Sequence, residues 1–373
     1  MAPITNAIEE ETSAYYELEQ FYPVHIGEII KSPSTGYKII GKLGYGRYST
    51  VWLCYGLSDN TYYTIKIGTK DNGGRREAEI YEHIKALGSQ HVGSKHVRKL
   101  QEAFELPGPH YCLVHNPLAM SVDEFQETFP DAQYPNIILK PLISCLLMAL
   151  DFLHSEAGVI HTDIQARNIL LGLGSASPVL DFVAAEKEHP SARKVINERR
   201  SIYFSRALPN TFPPGHPILC DFGHAIKGSP GEKHTGVIQP LPYRAPEVIL
   251  GMDWGAEVDI WNLGALMWQL AFGCQLFTGT TEEEQLAAMV AFLGTPPVEF
   301  VQRCRDEGEG ARYFDEDVGV WSGKEITPTP VDDILEGPEV EAFVDLLKGM
   351  LAWVPEERQT AADLRRHAWI HSG

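Results

Sequence analysis

Apolar residues along this chain change their spacing once, and that change limits the folds it can adopt. YKIIGKLGYGRYSTVWLCYG at 37–56 alternates apolar and polar side chains around glycines, as a hairpin does, and YYTIKIG at 62–68 continues as a strand. RREAEIYEHIKAL at 75–87 then repeats at helical spacing, CLLMALDFLHSEAG at 145–158 reads as an amphipathic helix ended by glycine, and the chain beyond 244 is mostly helical. Strands first and helices afterwards predict an α+β protein. A chain of 373 residues is too long for one small core and suits one large fold or two lobes. Across 172–217 the periodicity fails among Pro, Gly, Ser and charged residues, which predicts an inserted loop, and 1–36 reads as a weakly structured extension.

The six cysteines lie far apart with no CxxC spacing, so neither a zinc site nor a disulfide framework is indicated. A reducing compartment, cytoplasmic or nuclear, is expected. MAPITNAIEEETSAYYELEQ has early acidic residues and no apolar core, unlike a secretory signal, and the longest apolar run, PLISCLLMAL at 141–150, is too short for a bilayer span. A formal charge of −19 repels nucleic acid and anionic membranes. The same charge steers basic partners or simply keeps the chain soluble. A soluble monomer that binds neither nucleic acid nor membrane is expected.

GYGRYSTV at 44–51 is a glycine-rich turn whose backbone amides could lie over phosphates without side-chain obstruction. Such turns also close ordinary hairpins, so this one decides nothing alone. Lys66 stands inside the apolar strand YTIKI, where an unpaired ammonium is costly, and therefore requires anionic partners. Glu77, Ile80, Tyr81 and Ile84 share one helix face, which makes Glu77 the first choice of carboxylate and Glu79 the alternative. HTDIQARNILL at 161–171 is a polar stretch between an apolar helix and an apolar strand. CDFGHA (220–225), YRAPEVIL (243–250), DIWNLG (259–264) and PEERQTAADL (355–364) follow in that order.

Together these motifs resemble those of eukaryotic protein kinases over about 37–370. The resemblance implies a two-lobed α+β fold: an antiparallel sheet with one main helix at 37–115, a mostly helical lobe at 116–370 holding the 172–217 insert, and ATP between them. It implies transfer of the ATP γ-phosphate to protein hydroxyls. Lys66 would hold phosphates, Asp163 would orient the attacking hydroxyl, and Asn168 and Asp221 would hold Mg2+, because a hard cation prefers oxygen ligands. Leu43, Gly44, Gly46, Ser49 and Val51 would cover the nucleotide, with adenine bonded to backbone near Asn116 and Leu118. His115 is either the gatekeeper or a packed core histidine. Phe222 would pack beneath Asp221, Glu247 and Arg358 would form a buried ion pair, and Asp259 would tie down the catalytic loop.

FYPVHIGEII, STVWL, HTD and the insert resemble the SR-protein kinases, and YRAPE with LGTPP at 293–297 resembles the wider CMGC group. That branch implies arginine/serine-rich or other basic substrates. TEEE (281–284) and FDEDVG (314–319) are candidate carboxylates for them, or only solvated surface. Thr162 replaces the arginine that reads an activation-loop phosphate in many kinases, so activity without that phosphorylation is expected. Ser49 stands at the third glycine. Gln165 replaces the usual lysine, and Arg167 either restores its charge at the γ-phosphate or merely solvates the loop. A pseudokinase acting as a binding module is the alternative, against which the complete set Lys66, Asp163, Asn168 and Asp221 argues. A small-molecule kinase is disfavoured by the APE segment and the Asp259 region.

Overall fold

Alternating side chains over the first hundred or so residues build one antiparallel sheet. In the computed structural model its strands are β1 (Ile29–Lys31), β2 (Gly36–Gly46), β3 (Ser49–Gly56), β4 (Tyr62–Gly68), β5 (Leu100–Leu106) and β6 (His110–His115), in the order β1-β2-β3-β4-β6-β5. The structure describes every residue except 1–3, 5, 15, 71–73, 211–213, 229–230, 309–311, 315–320, 324–337 and 373. The chain forms two units, one of 1–88, 98–120 and 170–216 and the other of 89–97, 121–169 and 217–373.

In the first unit, Ile39, Trp52, Cys54, Ile65, Ile67, Cys112 and Val114 form the core of the sheet. Each such aliphatic or aromatic side chain contributes roughly 1.5–3 kcal/mol on burial. Helix α1 (Arg75–Ala86) buries Glu77, Ala78, Ile80 and Tyr81. Its amphipathic spacing was legible, but the carboxylate on the buried face is not apolar and needs a partner.

The loop expected at 172–217 is corrected by the structure, and so is its place in the second lobe. Ser177–Glu188 is a helix and Arg193–Asn197 pairs with Arg200–Tyr203 as a hairpin, both within the first unit. Val179 and Phe182 pack with Leu53 against Ile40, Leu43 and Tyr62. A Cβ on Gly41 would stand 2.8 Å from the Phe182 ring, so only glycine admits this approach. Pro178 reads as a breaker in sequence, whereas here it opens the helix, where its missing N–H costs nothing.

Residues 1–36 are likewise more structured than expected. Lys42 of β2 is fully buried, its Nζ bonded to Glu10 and 3.3 Å from Glu9, and it also donates to the Tyr203 carbonyl at 3.2 Å. Lys194 of the hairpin pairs with Glu11 at 2.9 Å, and Ser205 donates to Glu9 at 2.6 Å. The acidic run within this expected weakly structured extension therefore neutralises a cation that the sheet could not bury alone. It fastens the N-terminal segment and the insert to the strand that leads into the glycine-rich turn.

The second unit is mostly helical, built around Asn136–Phe152 and Glu257–Phe272 with Trp254, Trp261 and Trp369 fully enclosed. The apolar stretch is longer than PLISCLLMAL suggested. An 18-residue window within Pro130–Ala157, a span that holds the Asn136–Phe152 helix, has a mean hydropathy of 1.8, which by length and composition suffices to cross a membrane. In this unit 61% of that window is buried inside the protein, with Leu139, Ile143, Leu146 and Leu150 in the core.

Candidate active site

Lys66 and Glu77 meet in the first unit. Lys66 Nζ lies 2.8 Å from Glu77 Oε2, with the carboxylate only 5% exposed and the lysine 23%. Glu79, the alternative, instead pairs with Arg75 at 3.3 Å on the exposed face. Helix register decides between them: Glu77 shares the buried face with Tyr81, one turn on.

Around the glycine-rich turn, Gly44 pairs with Val51 and Gly46 with Ser49 across β2 and β3. A Cβ on Gly44 would meet nothing within 4 Å among the described residues, so this glycine borders open space. Leu43 is held from behind by the insert cluster. Beyond β6, Asn116 is exposed and Leu118 half-buried, and the Ala119 N–H donates to the Leu171 carbonyl at 2.8 Å.

Asp163, Asn168 and Asp221 belong to the second unit. Asp163 Oδ1 accepts a hydrogen bond from Gln165 Nε2, and Oδ2 accepts one from Asn168 Nδ2 at 2.8 Å. The Asn168 amide donates also to the Asp163 carbonyl at 2.9 Å, while among the described residues its Oδ1 accepts no hydrogen bond. Asn168 O receives the Cys220 N–H at 2.8 Å, which holds the Asp221 backbone beside the catalytic loop. The ring of Phe222 packs on His161 at 4.8 Å, and His161 Nε2 lies 3.0 Å from the Cys220 carbonyl.

Two backbone positions here are strained: Thr162 has φ 66° and Asp221 φ 62°. Asp259 compensates at the first. Its carboxylate, with no exposed surface, accepts the N–H groups of His161 at 2.7 Å and Thr162 at 2.8 Å and lies 2.9 Å from His154 Nε2. Asn262 completes the support, accepting the Ile164 N–H at 3.0 Å and donating back to its carbonyl at 2.6 Å. His154 and Asn262 were not singled out from sequence, although Asn262 lies inside DIWNLG.

Arg167 is exposed and makes no ion pair or hydrogen bond among the described residues. Tyr243, at the start of YRAPE, is pushed up to about 12 by burial first and then by Asp123, with Arg167 pulling the other way. Glu247 and Arg358 form a fully enclosed bidentate pair at 2.6 and 2.7 Å. Of the acidic clusters, Glu282 pairs with Arg244 at 2.9 Å and Glu284 accepts from Thr280, while 315–319 of FDEDVG lie outside the described residues.

His115 is buried and its ring meets Tyr81 at 4.9 Å. Burial, followed by the Arg98 cation, holds its imidazole well below the usual value, so it is neutral.

A protein kinase domain family model matches residues 37–204 and 212–370. The chain belongs to the protein kinase family. A serine/threonine protein kinase of Aspergillus fumigatus is 38% identical over 97% of this chain and 91% of its own. The serine/threonine-protein kinase SRPK of Physarum polycephalum is 27% identical over 97% of this kinase and 91% of its own length. A dual specificity tyrosine-phosphorylation-regulated kinase 3 of Rattus norvegicus is 26% identical over 99% of this kinase and 58% of itself. A crystal structure of a kinase domain shares the fold at a TM-score of 0.73 and 22% identity, covering 94% of this chain and 99% of that one. This kinase is an ATP-dependent serine/threonine protein kinase with the two-lobed fold of the family. The pseudokinase alternative gains no support from these relatives.

Proposed function

We propose that this kinase phosphorylates serine in arginine/serine-rich or other basic proteins, acting as a cytoplasmic or nuclear monomer without nucleic acid or membrane. The observation that carries the catalytic part is the Asp163 carboxylate, held at both oxygens by neutral amide donors. Lys66, steadied by Glu77, would bind the nucleotide phosphates. Asn168 Oδ1 and the Asp221 carboxylate are oxygen donors suited to Mg2+, and among the described residues no group of three His, Cys, Asp or Glu could hold a metal. Mg2+ held there would supply positive charge to offset that of the phosphates. Asp163 accepts the hydrogen bond of the serine hydroxyl and aims it in line with the γ-phosphate, while its own orientation is fixed by Gln165 and Asn168.

Substrate class is supported by a net charge of −19, the SR-type motifs and a relative named SRPK. The six free cysteines suit a reducing compartment. Labelled phosphate transfer from ATP to an arginine/serine peptide, a basic protein without such repeats and a no-substrate control tests it. The peptide should be preferred, and its KM should rise with ionic strength as screening weakens the attraction. Equal use of both substrates, or a KM indifferent to salt, rejects the basic-substrate preference.

Gln165 carries no charge toward the γ-phosphate, so Arg167 is the cation proposed to take that part. Arg167→Ala should lower kcat by about 10²-fold, with Arg167→Lys in between. An unchanged rate in Arg167→Ala rejects the compensation.

A further inference from the structure

Thr64 and Lys66 leave the same face of β4, because side chains two apart on a strand point the same way. Across the ladder Thr64 is opposite His115 and Lys66 opposite Leu113, and opposed residues share a face. At the His115 end that face becomes polar. Arg98 Nη2 donates to Thr64 Oγ1 at 3.0 Å, whereas Arg98 Nε is buried and finds no acceptor among the described residues. Among the described residues this guanidinium pairs with no carboxylate. His115 Nδ1 lies 2.9 Å from the Lys99 carbonyl, which can only accept, so in the neutral ring Nδ1 carries the proton.

A buried guanidinium donor without an acceptor is costly and calls for one from outside the chain. Its position says which part of a ligand supplies it. Lys66 marks the phosphate end of the strand, and Arg98 stands at Thr64, roughly 7 Å farther along. Beyond it His115 leads into Asn116 and Leu118, the segment assigned above to the base. We propose that Arg98 reads the purine base and that the kinase accepts guanine as well as adenine nucleotides. A guanidinium only donates; guanine presents the acceptors O6 and N7 on one edge, whereas adenine places an amino donor beside its N7. The inference rests on the nucleotide assignment of Lys66, Asn116 and Leu118 in the proposed function.

Displacement of fluorescent ADP and GDP analogues by ATP and GTP, on the full chain, measures this directly, alongside phosphate transfer from each labelled triphosphate. GTP should bind within about tenfold of ATP. Arg98→Leu should weaken GTP about tenfold or more and ATP less than about threefold, and Arg98→Lys should fall between, with thermal melts confirming folded variants. A wild-type preference for ATP above about 100-fold, or equal weakening of both nucleotides in Arg98→Leu, overturns the inference. Should Arg98→Leu not fold, the wild-type ratio and Arg98→Lys decide. Transfer from ATP with no binding of GTP sinks this inference and leaves the kinase intact; transfer from neither sinks the proposed function as well.

Discussion

Asp163→Asn should lower kcat by about 10²- to 10⁴-fold while leaving the affinity for ATP nearly unchanged. The size follows from what the carboxylate does and from how it is held. Its two oxygens accept from Gln165 and from Asn168, so an amide placed there must turn its own NH2 toward one of two existing donors. Gln165 can relieve the clash by rotating its amide. Asn168 cannot do so without withdrawing Oδ1, the oxygen suited to Mg2+. The variant therefore loses the acceptor for the serine hydroxyl and gains a competing rotamer, with the rest of the loop still anchored by Asp259 and Asn262. Steady-state transfer to a peptide, with nucleotide affinity measured separately, checks it. A kcat within tenfold of wild type would show that Asp163 is not the hydroxyl-orienting group.

How far such a site could be read in advance depended on whether a residue's role is fixed by its immediate neighbours in sequence. Lys66 in an apolar strand and Glu77 on the buried stripe of α1 each announce an unpaired charge, and the structure joins them. Gln165 was legible as an exchange of type, but its bond to Asp163 depends on a loop conformation with Thr162 at positive φ, which no periodicity reports. The insert was misread because Val179, Phe182 and Val183 bury against the β2–β3 hairpin, a surface far away in sequence. Lys42 and the acidic residues at 9–11 failed for the same reason: each looks like a solvated charge until the other is placed beside it. Arg98 is the extreme case. In sequence it is one basic residue before a strand, and only the register of β4 with β6 places it at Thr64 and His115.

The second large effect concerns stability. Arg358→Met should cost about 3–5 kcal/mol, because it leaves the Glu247 carboxylate fully enclosed with no cation. Arg358 makes more than the bidentate pair. It also donates to the carbonyls of Ala352 at 3.0 Å and Glu257 at 3.1 Å, and its guanidinium lies 5.0 Å from the centre of the Trp261 ring. One side chain thus joins YRAPEVIL to the start of the Glu257–Phe272 helix and to the C-terminal segment. Taking both charges away is a different perturbation: Glu247→Leu with Arg358→Met removes the desolvated ions together and should recover more than half of the loss. Thermal and urea unfolding of the two single variants and the double variant measure this. An Arg358→Met cost below about 1 kcal/mol, or a double variant no better than the single ones, would mean that the pair is not what closes this part of the core. Since Glu247 anchors the segment that begins at Tyr243, the same variants should raise the KM for peptide more than that for ATP, which ties the buried pair to substrate binding and not only to folding.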